Sequence, residues 1–217
     1  MRKILGFLAF LLAISVWPTL VHAQTTTAPD YDALEQAALK GNSQALAQLQ
    51  AGANSGNTNA EDGLGLYYSS NTQYANAFYW YQKAAEHGNV DGEFHLAYSY
   101  QFSEGTAMNS QEAIIWYQIA AAQGNTDAEV EIGIMYSMGW GVVLNNQQAV
   151  TWYQRAAALG NPDAMFLLGE NYEFGEGVPK DYSKARAWYK KAAQLGNQEA
   201  QKALADLSTQ QQPQKSH

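Results

Sequence analysis

Residues 164–196 read AMFLLGENYEFGEGVPKDYSKARAWYKKAAQLG, and the pattern of this stretch recurs along most of the 217-residue chain. Its Trp-Tyr pair occurs four times, at 80–81, 116–117, 152–153 and 188–189, with a spacing of 36 residues each time. The same period carries an Ala three residues before each Trp, an Ala-Ala pair after it and then a Gly-Asn pair. A fixed period of this size is typical of a solenoid, in which each repeat buries its apolar face against its neighbours.

Each repeat is predicted to form two helices. In the second helix, the Ala, the Trp-Tyr pair and the Ala-Ala pair fall at i, i+3, i+4, i+7 and i+8, which is one stripe of an α-helix. The first helix carries a similar stripe, as in Ala164, Leu168, Gly169 and Tyr172. The Gly-Asn pair is expected to end one helix and begin the next. Glycine adopts a left-handed backbone without steric cost, and asparagine accepts hydrogen bonds from the free N–H groups of the following helix.

This pattern resembles the Sel1-like repeat, a relative of the tetratricopeptide repeat with the signature A…LG..Y..G.GV..D...A..WY..AA..G. The quoted stretch is the best copy, while an earlier copy departs from the signature at Ser103 and Thr106. The resemblance covers roughly residues 31–207. It implies an all-α fold, a right-handed α-solenoid of antiparallel helix pairs, which acts mainly as an adaptor for protein partners.

The period also predicts the organisation of the chain. Irregular helices are expected up to about residue 57, with a short helix near 43–50. The first regular repeat is four residues short in the loop between its helices. The repeats and the capping helix that closes the array are predicted at about residues 58–88, 89–124, 125–160, 161–196 and 197–207. Polar composition favours disorder for residues 24–30 and 208–217.

The first 23 residues are predicted to be a secretory signal peptide. Arg2 and Lys3 precede an apolar run at 4–16, and the small residue Ala23 precedes the expected cleavage point. A transmembrane anchor is the alternative, but a span needs about 20 apolar residues, and this run is shorter. The mature protein is therefore expected in the periplasm or outside the cell, and not embedded in the membrane.

Composition excludes several classes of protein. The formal net charge is −8, from 12 basic and 20 acidic residues, which argues against a nucleic-acid-binding surface and favours a partner with basic patches. The chain has no cysteine, so it can form no disulfide framework and no thiolate zinc site.

No catalytic motif is recognisable, and we predict that the protein is not an enzyme and binds no cofactor or metal. The sequences H-E-x-x-H, G-x-S-x-G, S-x-x-K and the phosphate-binding P-loop are all absent. The closely spaced Glu170, Glu173 and Glu176 favour a solvated helix face over a glycosidase pair. Two alternatives stay open: a hydrolase acting on β-lactams or cell-wall fragments, as claimed for cysteine-rich relatives, and a polysaccharide-binding module.

The resemblance implies that partners bind on the concave face, which the first helices line in the tetratricopeptide relatives. Positions 94, 130 and 166 favour packing against the next repeat, with binding as the alternative, whereas positions 102, 138 and 174 favour binding, with packing against the loop as the alternative. The predicted partner-binding residues are Phe94, Tyr98, Phe102, Val130, Ile134, Met138, Phe166, Glu170 and Phe174.

Overall fold

The computed structural model describes residues 29–210, and the regular secondary structure in that range is entirely helical. The helices follow one another as antiparallel pairs, which confirms the all-α solenoid. The predicted signal peptide, residues 24–28 of the predicted linker and residues 211–217 of the predicted tail lie outside the described residues. The described helices are α1 Tyr31–Leu39, α2 Ser43–Asn54, α3 Thr58–Ser70, α4 Tyr74–Glu86, α5 Val90–Phe102, α6 Ser110–Ala122, α7 Thr126–Met138, α8 Asn146–Ala158, α9 Pro162–Phe174, α10 Tyr182–Gln194 and α11 Gln198–Gln210.

We number the regular repeats by their helix pairs: repeat 1 is α3–α4, repeat 2 is α5–α6, repeat 3 is α7–α8 and repeat 4 is α9–α10. Each of these eight helices has 13 residues. Helix α11 takes the place of a further first helix. The first helices α3 and α5 contact each other, and so do α1 and α3. Within the described chain, second helices make no contacts of comparable extent with one another. We call the surface formed by the first helices the inner surface, after the concave face that the resemblance predicts.

The asparagine that follows each Gly both begins a helix and joins two repeats. The Asn161 side chain accepts hydrogen bonds from the N–H groups of Asp163 and Ala164, as expected of an N-cap. Its amide nitrogen also donates to Asp127 of the preceding repeat, at 2.7 Å. The side chains of Asn89, Asn125 and Asn197 make equivalent bonds to the repeat before them. We call this series the asparagine ladder.

A tyrosine ring packed on a glycine holds the two helices of a repeat together. The buried Tyr189 of α10 lies directly against Gly169 of α9, so that a Cβ atom on this glycine would overlap the ring. Gly65 and Tyr81 in repeat 1, and Gly133 and Tyr153 in repeat 3, have the same contact. Repeat 2 is different, because Ala97 stands at the glycine position.

The repeated tryptophans are half-buried, and they fill the space between neighbouring repeats. Trp116 packs against the core of its own repeat and against the core that contains Tyr81 and Leu96. A cationic side chain lies over two of the rings: Arg155 is 4.4 Å from the Trp152 centroid, and Lys191 is 4.1 Å from the Trp188 centroid. These two ring faces are covered by the protein itself, which disfavours their use as a stacking surface for sugars.

Two boundaries differ from those predicted. The helix expected near residues 43–50 continues to Asn54, because Gly52 and Ala53 are buried and the Tyr31 ring packs against Gly52. This helix and α1 form a shorter pair, and both contact α3. At the other end, α11 extends to Gln210 and so includes residues 208–210, which were expected to be disordered. No Gly or Pro interrupts the helix before that point.

We expect Gly169→Ala to lower the free energy of unfolding, because overpacking a core costs about 1–3 kcal/mol and the helix-propensity gain of Ala over Gly is only about 1 kcal/mol. Gly63→Ala is the matched control. Gly63 is also a buried helical glycine, but a Cβ there would lie 3.3 Å from the nearest atom, at the flexible end of Leu49. Urea unfolding followed by circular dichroism should show a loss for Gly169→Ala and a smaller loss or a gain for Gly63→Ala. Equal losses would contradict the proposed role of the tyrosine contact.

Candidate functional site

The inner surface carries three exposed apolar side chains at equivalent positions. Phe102, Met138 and Phe174 are the last residues of α5, α7 and α9, and they are 44%, 58% and 61% exposed. Large apolar side chains left in water at one recurring position of a repeat are suited to contact a partner.

Three other predicted binding residues pack within the solenoid instead. Val130 is 7% exposed and belongs to a core cluster. The half-buried ring of Phe94 lies 5.6 Å from that of Tyr117, and Phe166 lies 5.6 Å from Tyr189. Of the two readings that the sequence left open for these positions, the contacts favour packing.

Of the predicted residues in the middle of α5 and α7, Tyr98 is exposed and Ile134 is packed. The ring of Tyr98 is 37% exposed and lies 4.4 Å from that of Phe102, so that the two form a continuous aromatic surface. Ile134 is half-buried and packs against the core cluster that contains Val130. Repeat 2 therefore presents two exposed aromatic rings side by side on the inner surface.

A cavity of about 330 Å³ lies at the C-terminal end of the inner surface. It brings together three of the predicted residues, Phe166, Glu170 and Phe174, with residues of α11. Burial, followed by the charges of Glu173 and Glu176, raises the pKa of Glu170. The charged residues that line the cavity are Glu170, Glu173, Glu199, Lys202 and Asp206. With four carboxyl groups and one amine, this cavity favours cationic ligands.

A second cavity, of about 390 Å³, lies at the N-terminal end. Its lining includes Asp32 and Glu35 of α1, Asp62 of α3, and Asp91 and His95 of α5. The Nδ1 atom of His95 lies 2.8 Å from a carboxylate oxygen of Asp62. The sequence did not predict this cavity, because its residues come from three helices and most of them, Asp91 excepted, do not recur with the repeat period.

The pKa of His95 is subject to two opposing effects. Burial alone would lower its pKa, but the hydrogen bond with Asp62 and the charges of Asp62, Asp91 and Glu35 together raise it above 6.5. Burial, followed by the charge of Asp62, also raises the pKa of Glu35 and of Asp91. The ring of Tyr81 on α4 covers the histidine, with 4.9 Å between the ring centroids.

Buried glutamates in the first turn of the first helices form a separate set of contacts. Glu93 accepts a hydrogen bond from Gln123 at 2.6 Å, and Glu129 pairs with Arg155 at 3.0 Å. In repeat 1, Glu61 contacts His87 at 2.8 Å, so this histidine has a specific partner on α3. Each pair joins the start of a first helix to its second helix. We assign these contacts to stability, although the recurrence of Glu at this position could have been noticed in the sequence.

Within residues 29–210, no three or more His, Cys, Asp or Glu side chains are arranged to hold a metal ion. No helix in the same range is sufficiently long and apolar to cross a membrane.

Comparison with known proteins identifies the repeat. The family model of the Sel1 repeat matches residues 59–89, 90–125, 126–161 and 162–197, so its four copies follow the four repeats of the structure. No curated protein sequence matches the chain.

Several solved structures are similar. A Sel1 repeat protein from Oxalobacter formigenes is 31% identical, with a TM-score of 0.74 over 81% of this chain and 74% of that one. A protective antigen of uropathogenic Escherichia coli is 29% identical, with a TM-score of 0.72 over 83% of this chain but only 41% of the antigen. A Sel1 repeat protein from Klebsiella pneumoniae, 23% identical with a TM-score of 0.57 over 82% of this chain and 91% of that one, shares the fold.

We expect the stability of the protein to fall as the pH rises above about 6.5. A histidine whose pKa is raised by folding contributes stability that is complete below its unfolded value of about 6.5 and is lost as the pH rises through its folded value. The raised pKa values of Glu35 and Asp91 act in the same direction, at lower pH. Urea unfolding at a series of pH values should show the decline, and His95→Gln should flatten its upper part. Asp62→Asn should also reduce the decline, because it removes the partner of His95; an unchanged decline in His95→Gln would contradict the assignment.

Proposed function

The chain belongs to the Sel1 repeat family, and we propose that it is a non-catalytic adaptor that binds a basic, extended segment of a partner protein on its inner surface. Repeats of this family commonly mediate interactions between proteins. A solenoid suits this task, because its inner surface is longer than the face of a compact domain and its repeats offer similar contacts at regular intervals.

The observation that carries the proposal is the combination of apolar and acidic groups on one surface. Phe102, Met138 and Phe174 supply the exposed apolar contacts. The two cavities at the ends of the inner surface supply eight carboxyl groups, four in each, against the single amine of Lys202 and the imidazole of His95. A segment with apolar anchors and basic side chains would complement both features.

An extended segment fits the arrangement better than a globular surface does. The exposed apolar residues recur once per repeat, so a partner must follow the array to meet all three. The acidic groups lie at both ends, which favours basic side chains that flank an apolar centre. Binding should weaken with added salt, because exposed charges are screened.

A peptide library displayed on phage tests the proposal directly. Selection on the immobilised protein should enrich peptides that contain Lys or Arg together with large apolar residues. The combined variant Phe102→Ala, Met138→Ala and Phe174→Ala should weaken binding of a selected peptide about tenfold or more, as expected when contacts at a binding centre are truncated.

The matched control removes exposed apolar side chains from second helices. Tyr79, Ile115 and Ile119 are also exposed, but they lie on α4 and α6. Replacing all three by Ala should leave peptide binding unchanged. If the two combined variants lose affinity equally, or if selection enriches acidic peptides, the assignment of the inner surface is wrong.

We further propose that the protein works outside the cytoplasm, after removal of residues 1–23. The support is the sequence of the first 23 residues alone, with its positive start, apolar run and small residue before Gln24. Expression of the full chain in a bacterial host, followed by cell fractionation and N-terminal sequencing, should find a periplasmic or secreted product that begins at Gln24. A cytoplasmic product that retains Met1 would contradict the proposal.

A further inference from the structure

The cavity at the C-terminal end of the inner surface, which we call the C-terminal cavity, has an aromatic lining as well as an acidic one. Its aromatic residues are Phe166 and Phe174 of α9 and Tyr189 of α10. The rings of Phe166 and Tyr189 lie 5.6 Å apart, and the ring of Phe174 is exposed. The volume of about 330 Å³ lies within the usual range of small-molecule sites, which is about 300–1,000 Å³.

The residues of α11 differ from those of α9 at two repeat positions that line this cavity. Ala203 takes the position that Leu167 occupies in α9, and the exposed Lys202 takes the position of Phe166. The buried Leu207 packs in the core and holds α11 in place. The short side chain of Ala203 therefore leaves a space between α9 and α11, because the helix itself cannot move in to fill it.

The four carboxyl groups of the lining are spread along the cavity and over two helices. Glu199 and Asp206 are seven residues apart on α11, which corresponds to about 10 Å along the helix axis. Glu170 and Glu173 lie on α9, where a carboxylate oxygen of Glu173 accepts a hydrogen bond from the Tyr189 hydroxyl at 2.7 Å. With four carboxyl groups and one amine, the lining has a formal charge of −3.

We propose that the C-terminal cavity binds a linear aliphatic polyamine, which is a methylene chain that carries several ammonium groups. The methylene segments lie on Phe166, Phe174 and Ala203, as the alkyl stems of charged side chains do on apolar surfaces. The ammonium groups have hydrogen-bond donors and no acceptor, and they donate to the carboxylates of Glu170 and Glu199. The aromatic faces also attract a cation that lies against them.

A polyamine matches this lining better than a single ammonium group does. One ammonium group balances only part of the formal charge and contacts only part of the spread of carboxyl groups. A chain with several ammonium groups reaches carboxylates on both α9 and α11, while its methylene groups cover the apolar residues between them. This site does not rest on the proposed function, although a bound polyamine occupies carboxyl groups that a basic segment of a partner would also contact.

The probe is spermidine, titrated into the full chain labelled with nitrogen-15. The backbone amide signals of Phe174 and Ala203 report on the two helices that line the cavity. We expect saturable shifts of both signals. N-acetyl-lysine methylamide, which represents a lysine side chain of a partner, has a single ammonium group and should bind about tenfold more weakly. Mg²⁺ at equal ionic strength should not reproduce the shifts, because it has no methylene chain for the apolar lining.

Two glutamate variants locate the site. Glu170→Gln should weaken spermidine binding about tenfold, because a hydrogen bond between charged groups is lost. Glu35→Gln is the matched control. Glu35 is also half-buried and its pKa is also raised by burial, but it lines the cavity at the N-terminal end. This control should leave the affinity for spermidine unchanged.

A third variant tests the apolar lining without any change of charge. Ala203→Leu places in α11 the residue that α9 has at the same repeat position, and its larger side chain should fill the cavity. The saturable shift of the Phe174 signal should disappear, while circular dichroism shows that the variant is folded.

Four results would overturn the inference. The first is the absence of a saturable shift with spermidine. The second is equal affinity for spermidine and the lysine analogue, which would assign the cavity to lysine side chains of a partner. The third is an equal loss of affinity in Glu170→Gln and Glu35→Gln, and the fourth is full affinity in a folded Ala203→Leu; both would show a diffuse attraction to the acidic surface. The phage selection on the inner surface uses no polyamine, so failure here is distinguishable from failure of the proposed function.

Discussion

The contact between a tyrosine ring and a glycine determines how closely the two helices of a repeat approach. Wherever the glycine is present, the ring takes the place that a Cβ atom would otherwise fill. The second helix must then place its Ala-Ala pair and its Trp at fixed positions along the helix axis, because these residues lie on the same stripe as the tyrosine. The Trp-Tyr pairs of repeats 1, 3 and 4 thus share one packing arrangement.

This constraint also connects stability with the inner surface. The tyrosine hydroxyl extends beyond the glycine to the next turn of the first helix, one residue before the position of Phe174. In repeat 4, that turn carries Glu173, which lines the C-terminal cavity. In repeat 2, Ala97 stands at the glycine position, and the Gln101 Oε1 atom and the Tyr117 hydroxyl have no hydrogen-bond partner. A departure from the repeat pattern that looks minor in sequence therefore coincides with different hydrogen bonding between the two helices of the repeat.

Much of the fold was predictable, because the decisive features are local and periodic. Helix pairs, asparagine caps and glycine ends follow from residue types at fixed spacing, as Asn161 and Gly160 illustrate. The exposure of Phe174 and the packing of Val130 concern the same helix face of neighbouring repeats, so periodicity could not distinguish them. The pair of His95 and Asp62 lies in different repeats, 33 residues apart, and their contact depends on the angle between helices. The length of α2 was missed because Gly52 packs against the distant Tyr31.

The asparagine ladder bears on how such an array can change its length. In three of the four junctions, the asparagine donates to an Asp that lies 34 residues before it in the sequence. These three junctions therefore contain the same hydrogen bond. If residues 126–161 were removed, Asn125 would be followed directly by Pro162, which is equivalent to Thr126. Asn197 would still bond Asp163. Gain or loss of one complete period is therefore compatible with all remaining junctions. Duplication of whole repeats is the route by which this scaffold can lengthen its groove without redesign of its core.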